Sequence, residues 1–145
     1  IMKKILAVWA ILTISLTACA DHHQLVEYSD LPAQAQVFIQ KYFNVTDVAY
    51  IERERDGVHH EYQVHLKNDT EIEFDYQGNF QSIDCQVLKV PTGIVPEPII
   101  NFVQTHYPNS FVVEYVVGYR HLTVELGTGL DLIFDLEGHF IRIDD

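Results

Sequence analysis

Residues 74–80 read FDYQGNF and residues 134–140 read FDLEGHF, so Phe, Asp, Gly and Phe recur at matching places 60 positions apart. Asp75 and Asp135 suit the first position of a type I turn, and Gly78 and Gly138 the position that needs a positive φ. Phe74/Phe80 and Phe134/Phe140 would then face one core across each hairpin. Two turns written in the same residues constrain the chain to two successive copies of one small unit.

The flanking periodicities complete that unit. After Asp30-Leu31-Pro32, residues Leu31, Ala35, Phe38, Ile39 and Tyr42 recur at helical spacing, with Asp30 the expected N-cap and Pro32 tolerated in the first turn. Val95-Pro96 opens a second such segment, with Ile99, Phe102 and Val103 on its apolar stripe and Pro108-Asn109 ending it. Behind each helix the period becomes two: Tyr62, Val64 and Leu66 alternate with polar residues, as do Ile72 and Phe74. Asn68-Asp69 and Gly127-Thr128-Gly129 supply hairpin turns. The expected fold is α+β, a tandem repeat of a helix plus about four antiparallel strands, with the helices packed on one face of a curved antiparallel sheet. A sheet covered on one side leaves the other wet. That face, presenting Glu71, Glu73 and Asp75 with Asp131 and Asp135 from the second copy, is the candidate partner-binding surface.

The N-terminus carries a different kind of information. Lys3 and Lys4 precede an apolar run from Ile5 to Leu16, which has the form of a secretory leader and is short for a membrane span. It runs into Leu16-Thr17-Ala18-Cys19, which resembles the lipobox of bacterial lipoproteins and marks Cys19 for lipidation. The expected organisation is a signal peptide at 1–18, a polar tether at 19–29, a first unit at 30–85, a linker at 86–93 and a second unit at 94–145. Without Lys3 and Lys4 the chain keeps 7 basic residues against 21 acidic ones, so the formal charge of −12 becomes 7 − 21 = −14. Such a charge repels phosphate backbones and anionic lipid heads, which excludes nucleic acid as a partner and leaves any membrane attachment to the N-terminal lipid. With Cys19 acylated, Cys85 has no disulfide partner and reads as a small residue at a strand end.

Several of these pieces occur together in a known family. The Leu-Pro helix opening, Glu-Ile-Glu-Phe-Asp at 71–75, the x-x-Gly-x-Phe turn, Ile-Asp-Cys at 83–85 and Ile-Arg-Ile-Asp-Asp at 141–145 resemble PepSY-like domains. More narrowly they resemble the tandem BLIP-like (beta-lactamase-inhibitor-like) PepSY-like proteins secreted by Bacteroidota. The resemblance covers residues 30–145 and rests on turn and core residues. It implies an extracytoplasmic binding or inhibitory module with no catalytic residues to carry over. The second copy departs from the pattern at Val116-Val117-Gly118-Tyr119 and at Leu130-Asp131-Leu132.

The chemistry-bearing residues point the same way. No G-x-S-x-G, H-E-x-x-H or phosphate-loop motif occurs, and Ser29, Ser82 and Ser110 sit in turn or tether contexts, so no enzyme is expected. His59, Glu61, Gln63 and His65 fall on one strand face, but i, i+6 spacing separates the two histidines by about 20 Å, beyond one ion. No metal or other cofactor is therefore expected. The leading expectation is a protein-binding or inhibitor-like module of a Gram-negative cell envelope, periplasmic or surface-exposed, whose partner is an envelope or extracellular protein. Its rival is a periplasmic solute or divalent-cation binding domain. Tyr50, Tyr62, Tyr76, Tyr115 and Tyr119 belong to the interface-prone class, and core filling is the alternative use of each.

Overall fold

The computed structural model describes residues 23–144, so the leader and Cys19 lie outside the described residues. The protein is α+β, with two α-helices and one open nine-stranded antiparallel sheet in which every strand neighbours the next in sequence. Strand β1 (His23–Val26) comes first, then α1 (Ala33–Tyr42) and strands β2 (Val48–Asp56), β3 (His59–Leu66), β4 (Glu71–Phe74) and β5 (Phe80–Asp84). The order repeats with α2 (Glu97–His106) and strands β6 (Val112–Val117), β7 (Leu122–Leu126), β8 (Asp131–Phe134) and β9 (Phe140–Asp144).

Two local expectations are corrected. Asp30 does not cap α1: its carboxylate accepts the N–H of Glu27 at 2.9 Å within a short 3-10 turn. Pro32 excludes Leu31 from helical geometry, leaving it extended at φ −65, ψ 142, and the helix starts after the proline. The polar stretch expected as a tether contains β1, which pairs with the outer side of β2. Four residues of mixed polarity carry no readable period, and what holds them is the open edge of a nine-residue strand, assisted by Arg53 donating to Gln24 at 2.6 Å.

The core follows from alternation. Paired positions run from Ile51 through Val64, Ile72, Ile83, Tyr115 and Val124 to Leu132 on one face, each 4 % exposed or less. Phe38 of α1 meets Phe74 edge-on at 5.4 Å and stacks on Phe80 at 5.0 Å. Phe102 of α2 repeats this against Phe134 at 5.4 Å and Phe140 at 4.6 Å. Each such ring removes enough apolar surface from water to contribute about 2–3 kcal/mol.

The FDYQGNF and FDLEGHF turns also pin the helix starts. Asp75 Oδ1 accepts the N–H groups of Gln77 and Asn79, both at 2.9 Å, and Asp135 Oδ1 those of Glu137 and His139 at 3.1 and 2.8 Å. Gly78 and Gly138 both have φ +88. A Cβ on Gly78 would lie 2.7 Å from the Pro32 side chain, and one on Gly138 3.1 Å from Pro98, so each turn rests against a helix N-terminus.

Candidate binding face

The face opposite the aromatic core is organised by register. His65 faces Glu71, Glu71 faces Asp84, and Asp84 faces Glu114. Glu114 then faces Glu125, Glu125 faces Asp131, and Asp131 faces Asp144. Neighbouring strands lie about 4.8 Å apart, so this is a continuous carboxylate row roughly 24 Å long crossing β4 to β9 at right angles to the chain.

Its ends meet nitrogen-bearing side chains and its middle does not. At the β3 end, His65 lies 3.4 Å from Glu71 and 3.1 Å from Glu52, and stacks on Tyr50 at 4.2 Å. At the β9 end, Arg142 reaches Asp144 at 3.6 Å. Among the described residues, Asp84, Glu114, Glu125 and Asp131 make no ion pair with Lys, Arg or His. Partial burial, a hydrogen bond to Glu125 and the charges of Asp84, Glu125 and Asp131 push the Glu114 carboxyl up to about 7. Asp131 is raised for related reasons, first burial and then Glu125 and Asp144. Burial first, and then the neighbouring carboxylates of the row, therefore hold a proton at Glu114 near neutral pH.

The adjoining row changes character along its length. In the first half, Glu73 accepts from Gln63 Nε2 and Ser82 Oγ, each at 3.0 Å, so its charge is met by neutral donors. Past Ser82 the same row continues through Val116 and Thr123 to Ile133, which are half-buried or buried. The open face thus sets an acidic row beside an apolar one.

The expected site residues divide accordingly. Glu71, Glu73 and Asp131 lie on the open strand face. Asp75 and Asp135 do not belong to the rows: they sit in the turns after β4 and β8, with both carboxylate oxygens engaged by turn groups. Asp84, Glu114, Glu125 and Asp144 complete the row without being singled out by sequence. Glu114 is hidden by a bulge: strict alternation from the core residue Val112 would turn Glu114 inward, but a register shift between Val112 and Glu114 resets the phase and sends Tyr115 inward instead. Of the five tyrosines, Tyr62 and Tyr115 fill the core, while Tyr50, Tyr76 and Tyr119 are exposed. Tyr76 stacks on His59 at 4.0 Å, away from the carboxylate row. Cys85 is buried, and burial raises its thiol pKa, followed in size by an opposing hydrogen bond from Thr70. Among the described residues no group of three or more His, Cys, Asp and Glu side chains is arranged to hold a metal ion.

Comparison with known proteins identifies the architecture. The family described as "Putative beta-lactamase-inhibitor-like, PepSY-like" matches residues 17–69 and again residues 60–142. The chain belongs to the PepSY-like family. Among solved structures, this PepSY-like protein is similar to a "putative calcium-regulated periplasmic protein" of Bacteroides thetaiotaomicron, at 32% identity and TM-score 0.82 over 87% of this chain and 99% of the other. It is also similar to a "putative periplasmic protein" of the DUF2874 family from Bacteroides vulgatus, at 30% identity and TM-score 0.81 over 87% and 99%. A further Bacteroides vulgatus protein, described as a "putative periplasmic protein of unknown function", gives 30% identity and TM-score 0.79 over 85% and 99%. No curated protein matches the chain.

Proposed function

We propose that this PepSY-like protein is a non-catalytic, extracytoplasmic binding module, lipid-anchored at Cys19, that offers the carboxylate row of its open face to a basic surface on a protein partner. The observation that carries this reading is the unneutralised middle of the row. Asp84, Glu125 and Asp131 crowd Glu114 in the free protein, and a partner supplying Lys or Arg side chains relieves that crowding as it docks. Half-buried Val116 beside the row, and exposed Tyr50 at its end, provide the apolar and aromatic contact that charge alone lacks. The Bacteroides relatives described as periplasmic support that compartment for this chain. Descent from one duplicated unit, 30–85 and 94–145 joined by 86–93, is supported by helices that both follow a proline at 64 positions' separation.

The test is capture from an envelope extract with the chain from Ala20 onward, which contains every described element. A triple variant, Glu114→Gln, Glu125→Gln and Asp131→Asn, serves as the control. A protein retained by the first, lost by the second and released by salt is the expected result. Failure to enrich any protein above the triple variant would remove the reading.

Divalent-cation binding by the same row is the second reading. It is favoured by the relative described as calcium-regulated. Titration calorimetry with Ca²⁺ and Zn²⁺ separates the two, since a bound cation produces heat and a thermal upshift that the triple variant lacks.

A further inference from the structure

Strand β9 forms one edge of the sheet, and the molecule contains a reference for what such an edge looks like when covered. Strand β5 matches β9 position for position: Phe80 with Phe140, Ser82 with Arg142, Ile83 with Ile143 and Asp84 with Asp144. The outer side of β5 is occupied by β6, with Ser82 facing Val116, Ile83 facing Tyr115 and Asp84 facing Glu114. Ile83 is consequently 0 % exposed, and Phe80 stacks on Tyr115 at 5.7 Å. In β9 every residue is exposed, Ile143 at 43 % and Phe140 at 39 %.

Proteins usually blunt such an edge with lysine, proline, a bulge or a covering loop. β9 carries neither Lys nor Pro, and its two charged residues, Arg142 and Asp144, are opposite in sign and so do not repel a second copy of the same strand laid antiparallel. It does share a register shift with β5, next to Phe134 and Phe74 respectively. Because β5 accepts β6 despite that irregularity, the irregularity does not protect β9.

We propose that β9 pairs with β9 of a second copy of this chain, antiparallel and centred on Ile143. The charges select this occupant and this register. Ile143 lies on the core face, opposite Leu132, while Arg142 and Asp144 lie on the open face, opposite Ile133 and Asp131. Antiparallel pairing about Ile143 sets Ile143 against itself on the core side. On the open side it sets Arg142 against Asp144 of the second copy, twice, by symmetry. Both charged side chains are more than half exposed and free to turn toward the seam. The arrangement is isologous and closes at two copies, whereas pairing β9 with β1 of another copy is heterologous and leaves an unpaired edge on every added copy unless a ring closes. The two-fold axis stands perpendicular to the sheet, so both open faces point the same way. A seam of one short strand falls below the ~1,200 Å² of standard interfaces, so exchange in the micromolar range or weaker is expected.

Sedimentation equilibrium of the chain from Ala20 onward, up to about 1 mM, reads the prediction directly. The wild type should approach twice the monomer mass. Arg142→Asp and Asp144→Arg should each weaken self-association by roughly tenfold or more, because each places like charges across the seam. An equimolar mixture of the two variants should restore association, since each then supplies what the other lacks. Unchanged circular dichroism melts keep misfolding out of the interpretation. A wild type that stays monomeric throughout, single variants that associate like wild type, or a mixture that does not associate would each overturn the proposal. The readout is mass rather than partner capture, so its failure is distinct from failure of the carboxylate-row reading.

Discussion

Ile83 and Ile143 occupy equivalent places, and their surroundings differ by one strand. Both follow an aromatic trio of the same design, Phe38 with Phe74 and Phe80, and Phe102 with Phe134 and Phe140. Ile83 is sealed because β6 lies beside it, and Ile143 is open because nothing among the described residues does. An apolar residue in a strand is buried by its neighbour, not by its own identity. The second difference lies in the hairpins: β2–β3 spans 48–66, whereas β6–β7 spans 112–126. The four-residue deficit of the second half is spent there, which is why the helices match at an offset of 64 and the Phe-Asp turns at 60.

The largest effect that could break this comparison comes from truncating the two isoleucines in dilute, monomeric protein. Ile83→Ala should cost about 2–5 kcal/mol, as fully buried large-to-small changes do, and Ile143→Ala under about 1 kcal/mol. Equal losses by chemical denaturation would show that β9 is covered after all.

Next come the turn glycines. Gly78→Ala and Gly138→Ala both force a side chain into positive φ, and the Cβ at 78 meets Pro32 at 2.7 Å against 3.1 Å from Pro98 at 138. Losses of about 1–3 kcal/mol are expected at both, larger at 78. The reverse ranking would mean that the α2 start is the tighter seat.

The carboxylate row is tested by pH. Glu114 binds its proton more tightly folded than unfolded, its pKa rising from the ordinary 4.5 to about 7. Stability must therefore fall as pH climbs from 4.5 through 7, and Glu114→Gln should abolish that fall. After discounting for solvent screening, a gain of about 1 kcal/mol at pH 8 and none near pH 4 is expected from thermal melts. A gain at acid pH instead would contradict the crowding.

Asp75 gives the smallest effect and the opposite sign. Burial alone would raise its pKa, but hydrogen bonds from Asn79, then Gln77 and Gly78, hold the carboxyl below its usual 3.8. Its contribution is present above that value and lost as pH falls beneath it. Asp75→Ala should cost about 0.5–1.5 kcal/mol at pH 7 and less at pH 3. A constant difference across that range would mean the turn holds without its carboxylate.

Much of this architecture is local enough to read in one dimension. Helix spacing, strand alternation and the Asp–Gly turns depend on residues within a few positions of one another, and Asp75 accepting from Gln77 and Asn79 is such a case. The placement of Glu71, Glu73 and Asp131 on the open face follows from alternation in uninterrupted strands. Glu114 escapes that reading because a bulge shifts the phase at Val113. Its neighbours Asp84, Glu125 and Asp144 escape because cross-strand register joins residues far apart in the chain. β1 escapes because only the edge of β2 gives it a partner.

By itself, then, the order of residues determined the two helices, the Asp–Gly turns and the facing of side chains in strands without a bulge, since these rest on backbone geometry over a few residues. Only the tertiary structure decided that carboxylates from six strands stand in one line and that, of the matching strands β5 and β9, only β9 is left as an open edge. Both depend on which strands become neighbours, and that is settled by packing the whole sheet at once.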